Sequence, residues 1–404
     1  VVIGFVLALW SIAVCCAVWW TIAVLSMPAF VQRWLFARGT KLPELSDDTP
    51  VLLVRPCAGS EPHLSENLQS VPLVGAAQSV RVCVAVAAMT DPAWPIAQNA
   101  EKALQRRGFD GEVLLTHAVA PNQKCAQLAA VVEHFSTHAA SGAVVIIADS
   151  DVDLTQVDLS VAINRVLHGE AACWVVVGEA PGADESTLGD AVSAGILAGS
   201  LHSFALVSRI DRGSFVGKLF AIRTDALDSI GGFASLVRYL GEDLELARRL
   251  QSRGLAVGCD RRPQAVSTAS GRSVTQVRER FARWLLVLRK QRPTLLLSYP
   301  LLFLAPWIQC IAATAIACWS PATRTLAAVT VAFALTARAS AYLAARRAFN
   351  LPVLRVRACI AALLGDLVLA AAWLRALTLT TVRWRERELS FDREGLLQQL
   401  PTSP

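Results

Sequence analysis

Apolar residues run without a charge from Val1 to Gln32, more than the ~20 residues a helix needs to cross a hydrocarbon core. Arg33, Arg38 and Lys41 follow this run and nothing basic precedes it, so the bias of basic residues toward the cytoplasm predicts a signal-anchor over 1–32 with its following domain in the cytoplasm. From 42 to 290 the pattern changes. Short, β-rich apolar runs at 51–54, 80–87, 112–119, 143–148 and 173–178 alternate with helix-like stretches such as 95–107 and 123–138. Alternating strands and helices predict one α/β domain with a mostly parallel, doubly wound sheet flanked by helices. A second greasy region spans 293–382: Pro293–Thr323 is uncharged, 325–345 carries only Arg338, and 359–382 carries only Asp366 and Arg375. It predicts two or three transmembrane or re-entrant helices, followed by a basic cytoplasmic tail over 383–404. Three clean crossings would put the arginines of that tail outside, so one segment is expected to be re-entrant or interfacial. Pro300 and Pro306 point to the first segment and Asp366 and Arg375 to the last. The charges within these segments are expected to pair with one another or to reach the interface.

Composition agrees with a chain partly in lipid. Of 404 residues 54% are hydrophobic, and mean hydropathy is +0.46, too apolar for a purely soluble fold. Charged residues are 17% and the net charge is +6, which excludes a disordered chain or a nucleic-acid coat. The ten cysteines lack paired short spacings and read as free thiols in a reducing compartment. There is no glycine-rich dinucleotide fingerprint and no Walker loop, which argues against oxidoreductase and NTPase readings.

In doubly wound sheets ligands collect beyond the carboxyl ends of the strands, and here those ends are acidic. Thr90-Asp91-Pro92 follows the second run, and Asp149-Ser150-Asp151 follows the fourth. Carboxylates at i and i+2 can present oxygens to one hard divalent cation that bridges a substrate diphosphate, although turns and helix caps use the same letters. Glu242 and Asp243 open a helical stretch, where the macrodipole alone favours acids. Arg280 and Arg283 share a face of the basic stretch 274–290, with Trp284 beside them; they can clamp a departing diphosphate or rest on anionic headgroups. Lys124 lies at a helix start where an anion can bind, with a solvated lysine as the plainer account. The six histidines are scattered, and His202 is the one candidate for the site.

Asp91, Asp149-Ser150-Asp151, Glu242-Asp243 and Arg280 to Trp284 stand in the order of the acidic and Arg-x-x-Arg-Trp motifs of membrane-bound family-two glycosyltransferases. The chain most resembles the ceramide glucosyltransferase family and its bacterial, hopanoid-associated relatives. The segment Arg55 to Asn67 and the strand Gly217 to Arg223 resemble that family too.

The resemblance implies a GT-A type fold with N-terminal and C-terminal transmembrane helices, located as a multi-pass protein of the inner membrane with a cytoplasmic catalytic domain. It implies inverting transfer of a hexose, glucose from UDP-glucose first, to the hydroxyl of ceramide or a similar membrane lipid. Asp243 matches the family's general base, with Glu242 beside it able to raise its proton affinity. Asp151 would hold Mg2+ or Mn2+, with Asp149 on the metal or the ribose, and Arg280 and Arg283 would countercharge the diphosphate. Asp91 would lie by the nucleotide, and Trp284 by the acceptor or the donor sugar. Arg55, Cys57, Gly59, Glu61 and Lys124 are the remaining donor-side candidates. Arg280 stands where processive synthases carry glutamine, which favours single addition. The alternatives are UDP-N-acetylglucosamine transfer to a hopanoid polyol, a processive polysaccharide synthase, and a non-catalytic membrane scaffold.

Overall fold

The computed structural model describes residues 4, 10–11, 50–75, 80–136, 143–180, 186–197, 215–348, 356–384, 387–392 and 394–399. Most of the expected N-terminal anchor, and His202, lie outside them. The chain divides into two compact units. One comprises Gly39–Gly182, Val207–Ser270 and Leu379–Pro404; the other comprises Val1–Arg38, Ala183–Leu206 and Gly271–Thr378.

The first unit is built on an eight-stranded sheet. Its strands are β1 (Val51–Cys57), β2 (Val80–Val86), β3 (Asp110–Leu115), β4 (Val144–Ala148), β5 (Val152–Asp153), β6 (Ala172–Glu179), β7 (Leu219–Arg223) and β8 (Val257–Ser267). Their order is β3-β2-β1-β4-β7-β6-β8-β5. The stretch β3-β2-β1-β4 is parallel throughout. β7 runs antiparallel to both β4 and β6, β6 pairs parallel with β8, and β5 closes the edge antiparallel to β8.

The central strands form because they are continuous apolar runs rich in β-branched residues, the signature of strands covered on both faces. Leu53, Val82, Ile146, Val175 and Leu219 are all fully buried in one cluster, each contributing roughly 1.5–3 kcal/mol by leaving water. Helices Ala93–Arg106, Gln123–Ser136 and Ser160–Leu167 connect the strands. The same unit carries a three-stranded antiparallel sheet of β9 (Thr381–Trp384), β10 (Arg387–Phe391) and β11 (Leu397–Gln399). The residues expected as a basic tail therefore fold as a sheet, one that buries Val382, Leu389 and Leu397.

The second unit is helical. Its helices are Leu188–Leu197 and Val274–Gln291, Pro293–Phe303, Ala305–Trp319, Arg324–Ala348 and Val356–Thr378. Among the described residues one stretch, Ile360–Thr378, is long and apolar enough to cross a membrane. The uncharged run Pro293–Thr323 is two helices broken at Leu304, of 11 and 15 residues, each short of the ~20 a crossing needs. The break follows from proline. Pro306 starts the second helix, where a missing N–H costs nothing, and Pro300 lies inside the first, near its end.

The charges in this greasy region do pair. Arg338 Nη2 lies 2.7 Å from Asp366 Oδ1, and Arg338 Nε donates to both carboxylate oxygens at 2.9 and 3.1 Å. Both side chains are 2% exposed or less, and Trp307 Nε1 donates to Asp366 at 3.2 Å. Arg375 instead faces Glu279 at 3.7 Å, where both are half exposed.

Candidate active site

Three acidic stations of the sequence meet in the first unit, beyond the carboxyl ends of β1, β2 and β4. The turn after β4 holds Asp149, Ser150 and Asp151. Arg55, from β1, lies beneath it with no exposure. Its guanidinium donates to Val152 O at 2.7 Å, Asp149 O at 3.2 Å and Ser70 Oγ at 3.3 Å. Burial lowers its pKa to about 10, so it remains charged at neutral pH. The structure thus places Arg55 as a strut that shapes the carboxylate turn, with no surface to offer a donor. Cys57 is likewise buried, its carbonyl accepting from Gln127 at 3.0 Å.

Asp91 lies just ahead of the helix after β2 and accepts from Ala93 N–H at 2.9 Å. It also accepts from Gly59 N–H at 2.6 Å, tying the β1 loop to the β2 loop. Gly59 has φ 70°, a conformation that favours glycine. Glu61 is exposed and accepts from Ser150 Oγ at 3.4 Å. Gly59, Glu61 and Asp91 therefore line the same edge as the Asp149–Asp151 turn.

The centre of the site is Lys124. Its ammonium lies 2.7 Å from Asp149 Oδ1 and 3.5 Å from Glu242 Oε1, and it donates to Gly217 O at 3.0 Å. The side chain is 18% exposed, so it is no solvated surface lysine. Burial pulls its pKa down, but Asp149, Glu242 and Asp243 outweigh that and hold it above the ordinary lysine range. Asn122 sends its side-chain amide to Glu242 Oε2 at 3.0 Å. Asp243 Oδ2 accepts from Gly217 N–H at 3.0 Å, and Oδ1 from Leu244 N–H at 2.8 Å.

Burial raises both carboxyls of this pair. Glu242 is pushed up to about 7, with Lys124 opposing the rise and Asp243 adding to it. Asp243 is raised by burial against the hydrogen bonds from Gly217 and Leu244. The pair therefore holds a proton more tightly than ordinary acids, which suits a base working near neutral pH.

Asp151 is gripped by Lys218, whose ammonium contacts Oδ2, and by Ser267 Oγ, which donates to the same oxygen at 2.7 Å. Sequence reasoning gave Lys218, Asn122 and Ser267 no role. Lys218 stood inside the quoted strand Gly217 to Arg223, but a lysine at a strand start carries no motif. Among the described residues no group of three or more His, Cys, Asp or Glu is placed to hold a metal. Two carboxylates at i and i+2 still fit the mode in which a hard cation takes one or two protein oxygens and completes its shell with substrate phosphates and water. Among the described residues, the cysteines at 57, 83, 125, 173, 259, 310 and 318 form no disulfide.

The basic motif lies in the second unit, on the helix Val274–Gln291. A capping box starts that helix: Ser273 Oγ accepts from Gln276 N–H at 3.2 Å, and Gln276 Oε1 accepts from Ser273 N–H at 2.7 Å. Arg280 stacks over Trp284, 4.6 Å from the ring centroid, and donates to Ser193 Oγ at 3.0 Å. Burial, then the neighbouring Arg280, lowers the pKa of Arg283. Buried Asp190 accepts from Gly271 N–H at 2.9 Å and Arg272 N–H at 3.1 Å, which anchors the start of this helix to Leu188–Leu197. Arg280, Arg283 and Trp284 are thus one cluster within their own unit.

The mostly parallel α/β sheet flanked by helices is a GT-A type fold. The chain matches glycosyl transferase family 21 over residues 13–397 and belongs to that family. Among solved structures it is similar to a mannosyltransferase from Pyrobaculum calidifontis in complex with GDP-mannose and Mn2+. The identity is 17% and the TM-score 0.51, with 92% of this chain and 99% of that chain covered. It also matches glucosyl-3-phosphoglycerate synthase from Mycobacterium tuberculosis, at 14% identity and TM-score 0.32, over 61% of this chain and 84% of that one. No protein of curated function matches the chain.

Proposed function

We propose that this glycosyltransferase transfers a hexose, glucose from UDP-glucose, with inversion to the hydroxyl of ceramide or a similar membrane lipid. The observation that carries the reading is the Glu242–Asp243 pair, raised by burial and held beside Asp149 by Lys124. In a single displacement the acceptor hydroxyl loses a proton as it attacks the anomeric carbon, and a positioned carboxylate is worth ~10²–10⁴ in rate. Asp243 is the residue assigned that proton. Its two main-chain hydrogen bonds orient the carboxylate, and Glu242 disfavours a second negative charge beside it.

The donor side is assigned to Gly59, Glu61, Asp91 and Asp149, and Lys124 keeps Asp149 in place from within. Asp151 and Asp149 are the residues that would hold Mg2+ or Mn2+, which when bound neutralises charge on the diphosphate. Arg280 and Arg283 are assigned to the same leaving group by their motif, and Trp284 to a sugar. Family membership supports the lipid acceptor. So does the exposed apolar surface of the second unit, where Ile311, Val329 and Leu374 are 69%, 59% and 60% exposed. The multi-pass, inner-membrane placement and the division into anchor, catalytic domain and membrane region stand as part of the same proposal.

The test is membranes containing the full chain, offered labelled UDP-hexoses against a lipid panel with and without chelator. The expected product is a singly glycosylated lipid, lost with chelator and reduced at least ~10²-fold by Asp243→Asn. Sugar growing into polymer, or undiminished turnover by Asp243→Asn, overturns the reading.

A further inference from the structure

Besides Arg249 of the following helix, which lies 5.3 Å over the Tyr239 ring, two parts of the chain remote in sequence hold the segment Val237–Gly241, which leads directly into Glu242. Asn122 is the first. Its main-chain N–H donates to Val237 O at 2.9 Å, and its side-chain amide donates to Tyr239 O at 2.9 Å and to Glu242 Oε2 at 3.0 Å. The second is the C-terminal sheet. Leu397 N–H, on its edge strand β11, donates to Arg238 O at 2.7 Å, and the Arg238 guanidinium pairs with Asp392 at 2.7 Å.

Asp392 is itself well placed for this contact. Its Oδ1 accepts from Glu394 N–H at 2.9 Å and Leu396 N–H at 2.8 Å, and its own N–H donates to Leu396 O at 2.9 Å. Leu397 stands opposite Phe391 in the β10–β11 pair, while its N–H goes to Arg238. The segment is thus joined to β11 by a main-chain bond of the kind that adds a strand to a sheet edge. Buried Val382, Leu389 and Leu397 give the small sheet an apolar core of its own. An exposed ion pair is a weak tie alone, so the main-chain bond carries the larger part of the attachment.

We infer that the C-terminal sheet is a positioning element of the active site, gripping the segment Val237–Gly241 through Arg238 so that Glu242 and Asp243 meet the acceptor hydroxyl in register. The inference rests on the proposed base role of that pair. A base displaced by ~1 Å loses about 10²-fold in rate, and the sheet adds to the holds that Asn122, Lys124 and Gly217 keep on the pair. Neither Arg238 nor Asp392 touches substrate; both act through the segment.

The experiment uses the full chain carrying Arg238→Asp, Arg238→Lys or Leu397→Pro, which removes the N–H but leaves a bulky apolar ring. Each variant is read by kcat, by donor KM, and by hydrogen exchange of amides 237–243. Arg238→Asp is expected to lower kcat roughly three- to tenfold with donor KM within about twofold, and to speed exchange over 237–243. Arg238→Lys keeps the charge and should stay within about twofold of the original chain in both readouts, and Leu397→Pro should lower kcat by at least about tenfold. Faster exchange with unchanged kcat overturns the inference, as does an Arg238→Lys variant that exchanges as fast and turns over as slowly as Arg238→Asp. Failure of the base reading looks different: Asp243→Asn then turns over normally, while exchange still reports whether the sheet holds the segment.

Discussion

Replacing Lys124 by methionine is the sharpest way to test the electrostatics of the site. The ammonium lies 3.5 Å from Glu242 Oε1, and Coulomb's law at an effective dielectric of ~20 gives about 5 kcal/mol of attraction. Both groups are 16–18% exposed, so water reduces that figure. Even a third of it exceeds the ~1.4 kcal/mol that moves a titration by one pH unit. Burial already pushes Glu242 up to about 7 while Lys124 opposes the rise. Without the lysine the titration of the pair moves higher still. The acid limb of the pH profile of kcat/KM should therefore shift up by at least about one pH unit, leaving roughly tenfold less activity at pH 6.5 and near recovery above pH 8.5. Lys124→Arg keeps the charge and should leave the limb within a few tenths of its original position. An unmoved midpoint in Lys124→Met, or an equal shift in both variants, would refute this account of how the base is tuned.

The same shift has a consequence for stability. The ordinary glutamate value is 4.5 and the folded value about 7, so between those limits the folded chain holds a proton that the unfolded chain has released. Stability from this group therefore falls as pH rises from about 4.5 to 7. Asp243, also raised, adds in the same direction. Unfolding in denaturant at pH 5.5 and 7.5 reads the effect, and Glu242→Gln should flatten it.

Three further outcomes follow from single contacts. A Cβ at Gly217 would lie 2.8 Å from Asp243 Cβ, so Gly217→Ala must push the base aside; kcat should fall about 10–10²-fold with little change in melting temperature. Arg338→Met leaves Asp366 buried and unpaired and should cost about 3–5 kcal/mol, whereas adding Asp366→Leu should recover most of it. Recovery stays incomplete because Trp307 Nε1 then loses its acceptor, and thermal unfolding in detergent measures both. Finally, Leu379–Pro404 and Gly39–Gly182 belong to one unit, so Gly271–Thr378 must cross any bilayer an even number of times. A C-terminal tag should be accessible from the same side as a tag placed among residues 137–142, and opposite accessibility would contradict the fold.

Much of the sheet was readable because β1, β2, β4 and β6 are continuous apolar runs, and the carboxylates stood where such strands end. β8 was not readable. It carries Asp260, Arg261, Arg262, Pro263 and Gln264 in its middle, a polar stretch with a proline that reads as a loop. It is a strand because its register with β6 shifts between Val175 and Val177, the irregularity at which proline is tolerated. Asp260 is buried there against Arg262 at 2.7 Å. The C-terminal sheet was hidden for a different reason. Arginines at 383, 385 and 387 suggested a solvated tail, although charged residues alternating with Val382, Trp384 and Leu389 also fit a strand.

Lys218 and Gly217 show why a rule that looks just after each strand finds only part of such a site. β7 runs antiparallel to β4, with Leu219 opposite Ala148, so its beginning lies at the edge where the parallel strands end. The residues just before β7 therefore reach the chemistry. Gly217 takes Lys124 on its carbonyl and gives its N–H to Asp243, while Lys218 grips Asp151 and takes the N–H of Asp149 on its carbonyl at 2.8 Å. One dipeptide thus fixes the spacing between the carboxylates assigned to the cation and the pair assigned to the proton. Lys218→Met tests the first half of that division. Release of Asp151 should change Mn2+ affinity, read by its paramagnetic signal, while the pH midpoint set by Lys124 stays in place; a midpoint that moves with Lys218 would show the two halves to be one electrostatic unit.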